Sequence, residues 1–280
     1  MPRAMQRLVH SLQATHTVAS NIASDFRLFF QRTRFGPALR QCAVDGLNML
    51  VRADEDVGHV IYFYGTYEKN ESHAFLSEIR KDDICIDIGA NVGFYSLMMA
   101  SRLPNGVVHT FEPVLSNHLL LSINILINKL SNVIANCSAV GDSVGTTPFV
   151  VTEDGAFSSF MDTGRNPVDT RLALPVTTID HYVEQRELPR VDCIKVDVEG
   201  AEGKVLSGAH GLLSNPKKRP RLVMMELYDP MLACYGSSTA ELLKLMDSYG
   251  YSPFITKRGK LVRLGDESPD PPYNVHFRLK

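Results

Sequence analysis

The sequence predicts an α/β protein with a doubly wound, mostly parallel sheet and an antiparallel C-terminal edge. Three observations point to it. Short apolar runs of strand length alternate with longer segments of helical spacing from residue 84 to residue 250. Several runs, such as Ile84–Ile88 and Val191–Val196, are largely apolar rather than alternating, which is how strands covered on both faces read. The segments between them are long enough for right-handed helical crossovers, and the last two runs fall where an antiparallel edge is tolerated.

Residues 1–55 read as an N-terminal helical extension that turns irregular at Gly36-Pro37, and residues 56–280 as the main domain. Val60-Ile61-Tyr62-Phe63-Tyr64 is rich in β-branched and aromatic side chains and reads as a short strand. Glu71–Lys81 places Ala74, Phe75 and Ile79 at helical spacing. Ile84–Ile88 is the first core strand, and the helix after it, Val92–Arg102, is closed by Pro104-Asn105-Gly106. Val107–Phe111 is the second strand, Leu115–Leu130 a long apolar helix and Val133–Val140 the third strand, with a further strand over Thr146–Val151. Within a loop rich in Gly, Ser, Asp and Asn, Asp154–Asn166, the stretch Gly155–Phe160 is a candidate lid or acceptor contact. Thr178–Gln185 reads as a short helix, Val191–Val196 as a buried strand ending at Asp197, and Glu202–Ala209 as a helix. Arg221–Leu227, the helix Thr239–Tyr249 and two short strands near Phe254 and Val275–Leu279 complete the pattern.

Bulk composition narrows the function. Of 280 residues, 44% are apolar and 21% charged, enough for a large soluble core. A net charge of −2 argues against binding nucleic acid by bulk electrostatics, so no nucleic-acid partner is expected. Five cysteines without a C-x-x-C pair argue against a disulfide framework and a zinc site. Cys85, Cys137 and Cys193 sit in apolar runs as small buried hydrophobes. A reducing, cytoplasmic setting follows, and no run of 18 apolar residues predicts a membrane span. Before Arg40 the chain carries Arg3, Arg7, Arg27, Arg32 and Arg34 with Asp25 as the only acid, a bias that suits a helical cap with solvated arginines, or else an organelle transit peptide or a membrane-surface helix. A homo-oligomer is compatible with the sequence.

The segment Asp87-Ile88-Gly89-Ala90-Asn91-Val92-Gly93 is the most informative. It ends a strand and opens a helix, and its glycines allow a sharp turn and close ligand approach. A pyrophosphate-binding turn has G-x-G-x-x-G; here the spacing is G-x-x-x-G with asparagine at 91. Asp87 just before the turn repels a pyrophosphate and suits a cationic ligand. The ammonium and sulfonium of S-adenosylmethionine (SAM) fit that better than NAD does. Glu112, in Phe111-Glu112-Pro113, ends the next strand about 20 residues on, where an acid takes the hydroxyls of a ribose.

At these residues the sequence resembles the FkbM family of SAM-dependent methyltransferases, over roughly 64–251. The resemblance rests on Gly65-Thr66-Tyr67-Glu68, on Ile86–Ser96, on Phe111-Glu112-Pro113 with Asn117, and on Thr177-Thr178-Ile179-Asp180 followed by Ile194–Glu202. It implies a class I methyltransferase (Rossmann-like) fold, SAM as cofactor, and methylation of hydroxyl oxygens on sugars or other small molecules. It further implies that Asp87, Gly89, Ala90, Asn91 and Gly93 line the methionyl end of SAM, that Glu112 holds the ribose, and that Ser138 and Ala139 lie against the adenine.

An alcohol is a weak nucleophile at neutral pH, so a base is expected beside it. Lys195, Asp197 and Glu199 share a face if the strand stays extended. Asp197, at the strand's ligand-facing end, is the first candidate for general base or acceptor-orienting residue. Glu199 and Glu202 also suit a helix N-terminus. Lys195 is placed to pair with Asp197 or Glu199. Glu226 ends the following strand and is a candidate for aligning the acceptor. Two acids, Asp197 and Glu226, make a thin case for a metal, the 9 histidines show no ligand spacing, and no metal is expected.

Overall fold

The computed structural model describes residues 39–257, 259–265 and 273–280. Its strands are β1 (Leu39–Val44), β2 (Leu47–Arg52), β3 (Ile84–Ile88), β4 (Val107–Phe111), β5 (Val133–Asn136), β6 (Ala139–Val140), β7 (Gly145–Thr152), β8 (Val168–Thr177), β9 (Cys193–Val196), β10 (Leu222–Leu227), β11 (Tyr251–Lys257), β12 (Lys260–Arg263) and β13 (Tyr273–Leu279). The helices are α1 (Asp56–Tyr64), α2 (Lys69–Ser77), α3 (Phe94–Ala100), α4 (Leu115–Ile127), α5 (Ile179–Gln185), α6 (Glu202–Ser207), α7 (His210–Ser214), α8 (Asp229–Cys234) and α9 (Thr239–Ser248). Gln41–Lys280 forms one unit by its contacts; of the unit before it, only Leu39 and Arg40 are described.

The central sheet has eight strands in the order β12-β11-β13-β10-β9-β3-β4-β5. β5, β4, β3, β9 and β10 run parallel, and β13, β11 and β12 add the antiparallel edge. This is the class I methyltransferase arrangement that the family resemblance implies. The chain moves outward from β3 to β5, then returns to β9 beside β3. That reversal opens a crevice beyond the carboxyl ends of β3 and β9, where ligands of open α/β sheets bind.

Strand alternation fills both faces. Ile86, Ile88, Ile194, Val196, Val223 and Met225 belong to the core cluster that holds Val205, Leu206, Leu242 and Met246. Residue 87 therefore points to the opposite face, toward α3, where Leu97, Met98 and Met99 are fully buried. A three-stranded sheet in the order β6-β8-β7 is inserted after β5, with a register shift at Val151/Thr152. No described helix is long and apolar enough to cross a membrane.

Four local expectations are corrected. The N-terminal helical extension, 1–55, lies mostly outside the described residues, but 39–52 form a β-hairpin. Its turn is Asp45-Gly46, both at positive φ (48° and 82°), the Asp-Gly signal of a tight hairpin turn. Val60–Tyr64 is helical, not a strand. Gly65, left-handed at φ 64°, donates its N–H to Ile61 O and caps α1, so tertiary setting outweighs local β propensity. The expected third strand is two, because β5 pairs with β4 while β6 leaves for β8. Cys85 and Cys193 are buried, but Cys137, in the break between β5 and β6, is exposed.

The hairpin is held by asparagines. Asn124 of α4 accepts from Leu50 N (2.6 Å) and donates to Leu50 O (3.0 Å) and Val92 O (2.9 Å), tying β2 to the turn after β3. Asn128 repeats the reciprocal pair with Asn48. Asn124→Ala leaves three backbone groups without this partner. The expected loss is about 3 kcal/mol at 1–3 kcal/mol per buried unpaired group, read from urea unfolding. A loss under about 1 kcal/mol would mean that water replaces the amide.

Candidate active site

The turn after β3 is built by close approach. Gly89 sits at φ 77°, and a Cβ there would lie 1.7 Å from the Asp197 carbonyl oxygen. Gly93, at φ 93°, would place a Cβ 2.5 Å from Leu121 Cδ1. Asn91 is left-handed at φ 51°, and its own Oδ1 accepts the Val92 N–H at 2.7 Å. The turn's donors are used inside the protein. Gly89 N and Ala90 N both donate to Phe111 O at 3.0 Å, and Asn91 N donates to Glu112 Oε2 at 2.8 Å. A pyrophosphate needs free N–H groups here, so a dinucleotide site is excluded by the backbone as well as by the glycine spacing.

Glu112 is 4% exposed and lines the cavity at the end of β4. Its Oε2 accepts from Asn91 N and its Oε1 from Val114 N, each at 2.8 Å. Burial raises its pKa to about 7 against these N–H groups, Asn117 and Lys195. One N–H per oxygen leaves one acceptor direction on each, which matches the two hydroxyls of a ribose.

Asp87 lies elsewhere than its motif position suggests. It is fully buried behind the turn, with Oδ2 accepting from Ser96 Oγ at 2.6 Å and Oδ1 without a hydrogen-bond partner among the described residues. Burial pushes its pKa up, opposed by Lys195 and Ser96. Asp87 and Gly93 are not among the residues lining the cavity, whereas Gly89, Ala90, Asn91, Glu112, Ser138 and Ala139 are.

Across the crevice stand the side chains of β9 and β10. Lys195 Nζ donates to Asp197 Oδ2 at 2.8 Å and lies 4.9 Å from the Tyr95 ring centroid. The lysine side chain is 3% exposed and the aspartate 21%, so the carboxylate faces the cavity and the ammonium lies behind it. Burial alone would lower the Lys195 pKa; Asp197, Asp87 and Glu68 outweigh it and hold it above the usual value. The strand does not stay extended to 199. Glu199 is left-handed at φ 55°, and its carboxylate meets those of Asp197 and Glu226 with one oxygen from each within 4.8 Å of the others. Burial and Asp197 raise Glu199 to about 8, against Arg165, and the same two causes raise Glu226.

The strained loop is fixed on both sides. Glu202 Oε1 accepts from Val198 N (3.1 Å) and Gly200 N (3.4 Å), while Ser159 Oγ reaches Val198 O and Glu199 O. Ser159 also meets Tyr235 Oη at 2.6 Å. Arg165 pairs with Glu199 at 2.6 Å and lies 4.5 Å over the Phe157 ring. Segment 155–165 thus walls the cavity opposite the glycine turn. Together with its open mouth, the cavity spans about 990 Å³.

Comparison with known proteins shows the family. The model of the methyltransferase FkbM domain matches residues 87–253. The chain belongs to the FkbM methyltransferase family. Its methyl donor is SAM. Among its relatives, 31-O-demethyl-FK506 methyltransferase FkbM of Streptomyces tacrolimicus is 25% identical over 203 residues, covering 62% of this chain and 75% of that protein. Hexuronic acid methyltransferase AglP of Haloferax volcanii is 27% identical over 192 residues, covering 68% and 72%. A precorrin-6y C5,15-methyltransferase from Geobacter metallireducens superposes with a TM-score of 0.47 at 11% identity, over 82% of this chain and 97% of that one.

In this FkbM-family cavity the residues fit a cationic nucleoside. Asp56, Glu112, Asp197, Glu199 and Glu226 line it against Lys195 and Arg165, and Glu112 keeps acceptor directions for a ribose. Sequence reasoning missed Arg165, which lies in a polar loop with no pattern tying it to Glu199. It also missed Tyr67 and Tyr95 as cavity walls, although both sit in segments that carry the family resemblance.

Proposed function

We propose that the protein methylates a hydroxyl oxygen on a small molecule or carbohydrate. The observation that carries this is Asp197: a carboxylate open to the cavity, ion-paired with a buried lysine, at the crevice beside the glycine turn. SAM supplies a methyl group already attached to a good leaving group. The turn at Gly89–Asn91 and Glu112 hold the nucleoside, with Ser138 and Ala139 against the base. Asp197 accepts the hydroxyl proton as the oxygen–methyl bond forms and the carbon–sulfur bond breaks. Lys195 keeps Asp197 oriented through their 2.8 Å ion pair. Glu226, pushed up by burial and by Asp197, and Glu199, paired with Arg165, stand beside Asp197 and orient further oxygens of the acceptor. The names of the two relatives, a 31-O-demethyl-FK506 methyltransferase and a hexuronic acid methyltransferase, support an oxygen-rich acceptor.

A screen of sugars, macrolides and simple alcohols with methyl-labelled SAM tests the reading. Label in an ether of at least one hydroxyl compound is expected; label only on nitrogen or carbon acceptors refutes it. The cofactor placement has its own test. Glu112→Gln should weaken SAM binding by roughly tenfold to a hundredfold, because hydrogen bonds to a charged group contribute about 1.5–3 kcal/mol. Calorimetry showing unchanged affinity would refute the ribose assignment.

A further inference from the structure

The buried ammonium of Lys195 has more than one acid to choose from. It pairs with Asp197 at 2.8 Å. Asp87 stands beside it. The two are register partners on the parallel strands β3 and β9, so their side chains leave the same face of the sheet, about 4.8 Å apart at the strand spacing. Asp87 is fully buried, and its Oδ1 has no hydrogen-bond partner among the described residues. Glu68, just before α2, is the third acid. Lys195 Nζ lies 4.9 Å from the centroid of the Tyr95 ring, and the hydroxyl of that ring reaches Glu68.

A carboxylate oxygen without a partner normally closes on a buried ammonium next to it, because the attraction is strong where water is excluded. Here something restrains it. Two consecutive hydroxyls in the first turn of α3 do so. Ser96 Oγ donates to Asp87 Oδ2 at 2.6 Å, and Tyr95 Oη donates to Glu68 Oε2 at 2.7 Å. Asn274 Nδ2, from β13, donates to the other oxygen of Glu68 at 2.7 Å. Each competing acid is thus tied to an element other than β9.

We infer that Ser96 and Tyr95 are positioning residues: their adjacent hydroxyls hold Asp87 and Glu68 back from Lys195 and leave the ammonium to Asp197. Anchored at Oδ2, Asp197 keeps its other oxygen for the acceptor hydroxyl. Without the anchor its carboxyl torsion is broad and the alignment is lost. Burial disfavours the Lys195 charge while Asp197, Asp87 and Glu68 support it, in keeping with three acids around one ammonium. The inference rests on Asp197 as the group that receives the hydroxyl proton.

A crystal structure and the turnover of Ser96→Ala test this on the full chain. Loss of the hydroxyl frees Asp87 Oδ2. Lys195 Nζ is expected within about 3.2 Å of Asp87 and out of hydrogen-bond reach of Asp197. On the acceptor found in the screen, kcat should fall by about tenfold to a hundredfold, with SAM affinity by calorimetry within about twofold. Adding Asp87→Asn removes the competing charge. It should return Lys195 to Asp197 and kcat to within about threefold of the wild type. Tyr95→Phe, which keeps the ring beside Lys195, and its pairing with Glu68→Gln repeat the cycle at the other acid; they carry the test if Ser96→Ala fails to fold. An undisturbed Lys195–Asp197 pair in both Ser96→Ala and Tyr95→Phe would overturn the inference. So would a fall in kcat that neither second substitution repairs. Lys195 drawn off Asp197 with turnover unchanged would uphold the inference and remove Asp197 as the proton acceptor.

Discussion

Asp197→Asn should lower methyl transfer by about 10² to 10⁴-fold, the range for losing a general base, while SAM affinity stays within about twofold. Asparagine keeps the shape and can still face Lys195, so the cavity survives. What is lost is a group able to accept the hydroxyl proton. The variant also changes its neighbours. Asp197 helps raise both Glu199 and Glu226, so its neutralisation brings both pKa values down. Residual activity that depends on the protonated form of either acid should then fall off at lower pH than in the wild type. Turnover of methyl-labelled SAM from pH 6 to 9.5, on the acceptor found in the screen, reads both effects. Full activity in Asp197→Asn would remove its role as base and shift attention to the Glu199–Glu226 pair.

Gly89→Ala should destabilise the fold by about 2–5 kcal/mol and abolish measurable SAM binding. Two costs add. A left-handed alanine costs about 1–2 kcal/mol, and forced overpacking about 1–3. The clash falls on backbone: the Asp197 carbonyl oxygen lies 1.7 Å and its carbon 2.9 Å from the added Cβ. No rotamer change relieves it, so the turn and the end of β9 must part, and that end carries Asp197. Gly46→Ala is the control. It has similar φ, 82°, but nothing within 4 Å, so only the conformational cost remains. Urea unfolding and calorimetry on both variants separate strain from collision. Native SAM affinity in Gly89→Ala would show that the cofactor is held elsewhere.

The parts of this protein that read correctly from sequence are those with local cause. The strands at 84–88 and 193–196 are apolar because helices cover both faces, and the glycine turn is marked by its own residues. The failures have tertiary causes. Val60–Tyr64 favours a strand by composition, but Gly65 caps it as a helix whose Gly58 presses on Arg52. Lys195, Asp197 and Glu199 do converge, yet not by strand alternation; a left-handed Glu199, pinned by Glu202 and Ser159, turns its side chain back. The motif suggests Asp87 as a cofactor contact, but the pleat directs it at Ser96. Arg165 meets Glu199 through an inserted sheet whose register no local pattern records.

The amides of residues 89–91 point at Phe111 O and Glu112, so discrimination between nucleotide classes is written into the main chain. A phosphorylated metabolite that shares the adenosine moiety finds ribose and base contacts but no cradle for its phosphates. Two of these amides, those of Gly89 and Ala90, are held by the Phe111 carbonyl, so side-chain substitutions leave that part of the bias intact. Conversion of such a scaffold to hydride or phosphoryl chemistry therefore calls for insertion or deletion within the bend, a rarer evolutionary event than a point mutation.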